Sequence, residues 1–232
     1  MTVTTTAPGD GHEGDAGVAT EVHAHHDTPA HRDTKERLAL WLFIGGDAVI
    51  LALEVFTWFY TRSLNTNGMW RGAACTVSSP CTDGLGNPLT HQVPKASPWY
   101  AIVIAALAVV AALLYWAVER NARNRVGRGA ISGTAGLALL ALLGAIALQC
   151  YQFGALPFTT IVGTYASTFI FFMGSTLAHL AILAFIGLGV WNRARLGHYD
   201  DGQWYRTRLV RMFAVWIAIS ICVLAIVSTG FA

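Results

Sequence analysis

The chain has 232 residues, of which 54% are hydrophobic and only 12% charged, about half the charged fraction of an ordinary globular domain, roughly 25%. That balance excludes a typical soluble enzyme and a wholly disordered chain. The formal net charge of +2 is small and gives no reason to propose a nucleic-acid partner.

Residues 1–37 come first and contain no apolar run, so they read as neither a signal peptide nor a membrane span. Their Gly, Thr, His and acidic content reads as a disordered cytoplasmic arm. Within it, Glu21, His23, His25, His26 and Asp27 crowd together, a donor set of the kind that binds divalent metals. The competing reading is a solvated tail, since nothing nearby supplies the supporting contacts that fix metal ligands.

Five apolar windows follow, at 38–61, 98–118, 129–152, 161–191 and 212–232. Each has the length of about 20 residues that a helix needs to cross the hydrocarbon core. Inside lipid a helix is the only open-ended way to satisfy the backbone. The expected fold is therefore an all-α membrane protein, a bundle of five transmembrane helices. Of the 15 Lys and Arg residues, 12 fall in the N-terminal tail, around 119–128 and around 192–211, and three (Arg62, Arg71, Lys95) fall on the other side. The excess of cations on the cytoplasmic side of membrane proteins places the N-terminus inside and the C-terminus outside.

The first window carries Asp47 near its middle and Glu54 seven residues later. Seven residues are about two turns, so both carboxyls lie on one helix face, separated by roughly 10 Å of rise. A carboxyl at that depth must be protonated, paired or hydrated. For Asp47 a proton-linked or partner-contacting face and a protonated carboxyl bonded inside the bundle are equally open. Glu54, nearer the outer interface, reads as the second of these. The outer connection, about 62–97, holds Cys75 and Cys81 with five residues between them, either a disulfide on the oxidising side of the membrane or two free thiols. Cys150 and Cys222 fall inside spans, where cysteine acts as a small apolar residue.

The second window is apolar all round and reads as scaffold. The third ends in Gln149 and Gln152, two amides expected to hydrogen-bond to neighbouring helices. The fourth, 31 residues or about 46 Å as a helix, must tilt or project beyond the core. It carries Tyr165, Ser167, Thr168, Ser175, Thr176 and His179. His179 has no second intramembrane histidine with which to form a haem or copper pair, and no nucleotide loop or nucleophilic triad is present, so no catalytic residue is assigned.

Several segments together resemble subunit III of the haem–copper respiratory oxidases (cytochrome c oxidase), in its five-helix bacterial form. Trp41-Leu42-Phe43-Ile44-Gly45-Gly46-Asp47 resembles that family's W-L-F-L-x-S-E, with Asp47 at the position of its intramembrane glutamate. Gln149-Cys150-Tyr151-Gln152 resembles Q-x-x-E. Pro157-Phe158-Thr159, Gly163, Tyr165, Ser167-Thr168-Phe169 and Gly174 follow the spacing of its P-F-T…G-x-Y-x-S-T-F…G run, and His179 falls on the second His of G-F-H-G-L-H. The chain departs from the pattern at Gln152, where the family has glutamate, and at Thr176, where it has its first histidine. In the last span Val210 and Phe213 stand where the W-H-x-V-D motif has His and Asp, while Trp216 agrees. The resemblance implies a non-catalytic subunit that binds phospholipid, packs beside the haem- and copper-bearing subunits I and II, and supports assembly and proton uptake in a bacterial plasma membrane. A subunit III-like partner of a nitric oxide reductase is the related alternative. A small proton- or metal-linked transporter is the unrelated one, although no proline falls in the interior of a span and no inverted repeat is evident, both common in transporter cores.

Overall fold

All five apolar windows are helical in the computed structural model, which describes residues 29–64, 70, 81–82, 88–89, 93–199 and 204–231. The helices are α1 (Pro29–Ser63), α2 (Pro98–Arg123), α3 (Arg128–Gly154), α4 (Thr164–Arg195) and α5 (Tyr205–Gly230). A single 3-10 turn, Thr160–Val162, precedes α4. All five are long and apolar enough to cross a membrane, so the chain is a multi-pass membrane protein.

The helices overrun the expected spans mostly at their charged ends. α1 starts at Pro29, well ahead of residue 38, because the polar segment Arg32–Arg37 is rich in good helix formers although too charged to lie in lipid. α2 runs on through Arg120 and Arg123, and α4 through Arg193 and Arg195. The histidine-rich segment His23, His25 and His26 lies outside the described residues. The 62–97 connection holds a feature the sequence did not suggest, a two-residue antiparallel pairing of β1 (Cys81–Thr82) with β2 (Pro88–Leu89), Cys81 opposite Leu89. Cys75, the other half of the disulfide considered with Cys81, lies outside the described residues.

α2, α3, α4 and α5 pack as a closed ring, each against the next, and α1 leans on the outside against α4 and α5. Small residues make the ring tight. Ala108, Ala111, Ala135, Ala138, Ala145 and Ala214 are all buried, and such residues let helix backbones approach closely where lipid offers no hydrophobic drive to associate. α1 is the peripheral element: 11% of its apolar window is buried within the protein, against 28–44% for the others. Its outer face (Leu42, Val49, Leu53, Phe56) is left for lipid or a partner.

The two ends of the bundle differ. The end bearing the α2–α3 and α4–α5 turns holds most of the described arginines, and four of them lie over aromatic rings: Arg120 over Trp116, Arg123 over Trp204, Arg195 over Trp191 and Arg206 over Tyr205. Aromatic and basic residues of this kind anchor a helix at the membrane–water boundary. Here also Arg211 on α5 pairs with the largely buried Glu119 on α2 at 2.8 Å. Gly197, at φ +79°, turns the chain after α4, and a Cβ there would collide with the Arg128 guanidinium that donates to the Leu196 carbonyl. The opposite end is built on rings. Trp58 of α1 is fully buried against Trp70, Tyr165 and Phe172, and Phe158 and Phe169 complete the cluster.

Candidate functional site

Asp47, His179 and Trp216 each fall at the middle of a helix, α1, α4 and α5 respectively. Equal depth brings them together. The Asp47 carboxylate faces His179 Nε2 at 2.9 Å (Oδ1) and 3.1 Å (Oδ2), and Oδ2 also accepts from the Trp216 indole N–H at 2.6 Å. The histidine's other nitrogen, Nδ1, lies 2.7 Å from the Ser175 carbonyl one turn back on α4. A carbonyl oxygen only accepts, so this bond requires a proton on Nδ1.

One further proton is then shared between Nε2 and Asp47. Either the imidazole is doubly protonated beside a carboxylate, or it is neutral and accepts from a carboxylic acid. Both arrangements are neutral overall and both keep the Trp216 bond. The site thus satisfies an ionisable pair at mid-membrane, where an isolated charge costs several kcal/mol. A transferable proton is what such a pair can hold.

Glu54, 4% exposed, lies on the same face of α1, as its spacing from Asp47 requires. The groups acting on it electrostatically are Ser175, His179 and Asp47. Its Oε2 has no hydrogen-bond partner among the described residues, so the bonded carboxyl expected there is only partly provided for. The Ser175 hydroxyl lies 3.4 Å from His179 Nδ1. Two carboxyls seven residues apart on α1 thus meet two polar residues four apart on α4.

The remaining motif residues serve other contacts. Gln149 and Gln152 are buried but bond to each other within α3, Gln149 Nε2 donating to Gln152 Oε1 at 3.3 Å, rather than to a neighbouring helix as expected. At a spacing of three residues they share one face, and each is the other's nearest amide. Ser167 and Thr168 return their hydroxyls to carbonyls in the first turn of α4. Tyr165 is fully buried, and its hydroxyl accepts from the Ala96 N–H, fastening α4 to the segment that leads into α2. Cys150 is exposed, Cys222 is half-buried, and both are free thiols.

Sequence reasoning missed the roles of Trp216 and Ser175. Ser175 was findable, because it sits four residues before His179 and shares its helix face. A scan against protein-family models and a search of curated proteins both return no match for this chain.

Beside the cluster, α1, α2 and α5 enclose an apolar groove of about 970 Å³, walled by Trp41, Val109, Leu113, Trp116, Trp216 and Cys222, with Arg211 at the arginine-bearing end. Trp216 therefore has one edge on Asp47 and one side on the groove.

Proposed function

We propose that the chain is a non-catalytic, subunit III-like component of a haem–copper terminal oxidase in a bacterial plasma membrane, with its N-terminus in the cytoplasm. The observation that carries this reading is the meeting of Asp47, His179 and Trp216. They come from three separate segments, each of which resembles a subunit III motif, and they form one hydrogen-bonded cluster at mid-membrane. The described residues offer scaffold, a lipid-facing surface and a proton-holding pair, which suits a subunit that supports turnover and proton uptake by subunits I and II. The apolar groove with Arg211 at its mouth suits a phospholipid, its acyl chain along the tryptophans and its phosphate near the guanidinium. Haem and copper belong to the partner subunits.

The test is gentle detergent purification through a tag, followed by identification of the proteins retained and a reduced-minus-oxidised spectrum. A haem–copper oxidase subunit and its oxygen-reducing activity are expected to co-purify. Isolation of the chain free of any haem protein would overturn the reading, and a nitric oxide reductase in its place would identify the related alternative.

A second expected outcome concerns the pair directly. Hydrophobic carbodiimides attack protonated carboxyls in apolar surroundings, and Asp47 is the carboxyl that shares a proton with His179 at mid-membrane. Labelling should map to Asp47, vanish in Asp47→Asn, and slow turnover of the complex. Labelling confined to Glu54, together with normal turnover of Asp47→Asn, would remove the assigned role.

A further inference from the structure

Gln149 and Gln152 leave most of their hydrogen-bonding capacity unused. Their mutual bond consumes one N–H of Gln149 and the carbonyl of Gln152. The Gln149 carbonyl and the Gln152 amide nitrogen have no partner among the described residues, although both side chains are only 3% exposed. Left dry in the interior of a membrane bundle, such groups cost several kcal/mol.

They are not packed against apolar surface alone. Gln149 and Gln152 line a void of about 30 Å³ where α2, α3, α4 and α5 meet, and Thr176 and Ser228 line it too. Thr176 has no hydrogen-bond partner among the described residues, and Ser228 donates to the Ala225 carbonyl, which leaves its oxygen free to accept. A water needs about 10–15 Å³ of such space and two to four polar partners. The void supplies both.

Gln152 also lines a second cavity, of about 300 Å³, at the end of the bundle where α2 begins and α3 ends. Lys95, Ser97 and Tyr100 give that cavity a polar wall, unlike the groove beside Trp216. The structure assigns to these two spaces a single hydrated recess, entered past Lys95 and Ser97, closed at its neck by the Gln152 amide and ending in ordered water held by Gln149, Gln152, Thr176 and Ser228. Thr176 is the neighbour of Ser175, whose carbonyl holds His179. The recess thus reaches, from the end opposite most of the arginines, the stretch of α4 that carries the proton-holding cluster on another of its faces. This holds whichever complex the chain serves, and it gives the departures from the family pattern at Gln152 and Thr176 a use: both are uncharged hydrogen-bonding groups on the water path.

Radiolytic hydroxyl-radical labelling in ¹⁸O water, applied to the full chain in lipid nanodiscs and read by peptide mass spectrometry, tests the assignment. Met173 lines the void and is 4% exposed, whereas Trp58 is fully buried and does not line it. Both side chains react readily with hydroxyl radical, so water beside them decides the outcome. Met173 is expected to take up ¹⁸O at doses that leave Trp58 unlabelled, and Gln152→Leu is expected to abolish the Met173 label while Trp58 stays protected. An unlabelled Met173 in the wild-type chain, at doses that label the exposed Trp99, would overturn the recess. Undiminished Met173 labelling in Gln152→Leu with Trp58 still protected would overturn the role of the amide as its neck.

Discussion

Replacing Asp47 by leucine is expected to destabilise the bundle by about 3–5 kcal/mol, the cost of removing one partner from a buried pair. The loss arises from what remains: His179 Nε2 and the Trp216 indole N–H, both left at mid-membrane with nothing to bond. His179→Leu should be comparably harmful. The double variant Asp47→Leu/His179→Leu should recover the share of the loss that comes from the unpaired imidazole, because two apolar side chains need no partners, and should keep the share that comes from the Trp216 N–H, which still lacks its acceptor. Asp47→Asn separates structure from chemistry. Its amide can donate to a neutral Nε2 while its carbonyl accepts from Trp216, so every bond survives but no proton is shared. That variant should therefore unfold near the wild-type point and fail only where a proton is required. Helicity followed by circular dichroism during denaturing-detergent titration would measure all four. An Asp47→Leu cost below about 1 kcal/mol, the range of an exposed pair, would mean that the three helices are not tied at this point.

The spans were legible because hydropathy over about 20 residues is a one-dimensional property set by the thickness of the bilayer. Where the helices stop was less legible, because the arginine-bearing ends of α2 and α4 remain helical after leaving the apolar layer. The Asp47–Glu54 face could be read from their spacing on one helix. The partner of that face could not, since His179 meets Asp47 across 132 positions of sequence, and only the packing of α1 on α4 sets their contact. Trp216 stood out as a motif residue, yet its donation to Asp47 depends on α5 reaching the same depth. The two glutamines illustrate the opposite failure. Their spacing of three was visible, and the helix satisfied one pair of amide groups locally, where bonds to other helices were expected.

Packing across the bundle axis makes the second large prediction, at a site with no ionisable pair. Tyr115 of α2 is 1% exposed, and its hydroxyl has no hydrogen-bond partner among the described residues. It points across the ring at Gly187 of α4, where an added Cβ would overlap the hydroxyl, with Leu139 of α3 close by at 3.8 Å. Gly187→Ala is therefore expected to cost about 1–3 kcal/mol, the usual penalty of overfilling a packed core. Tyr115→Phe alone should be neutral or stabilising, since it removes a buried hydroxyl that bonds to nothing. In the Tyr115→Phe background the same Gly187→Ala change should cost much less, because the new methyl then meets only the ring carbon Cζ, at 3.4 Å. This coupling, measured by the same titration, isolates the steric contact from the helix preference for alanine over glycine, which acts in the opposite direction by about 1 kcal/mol. If Gly187→Ala costs the same in both backgrounds, Tyr115 and Gly187 do not meet, and the ring of four helices is not closed across its centre as described.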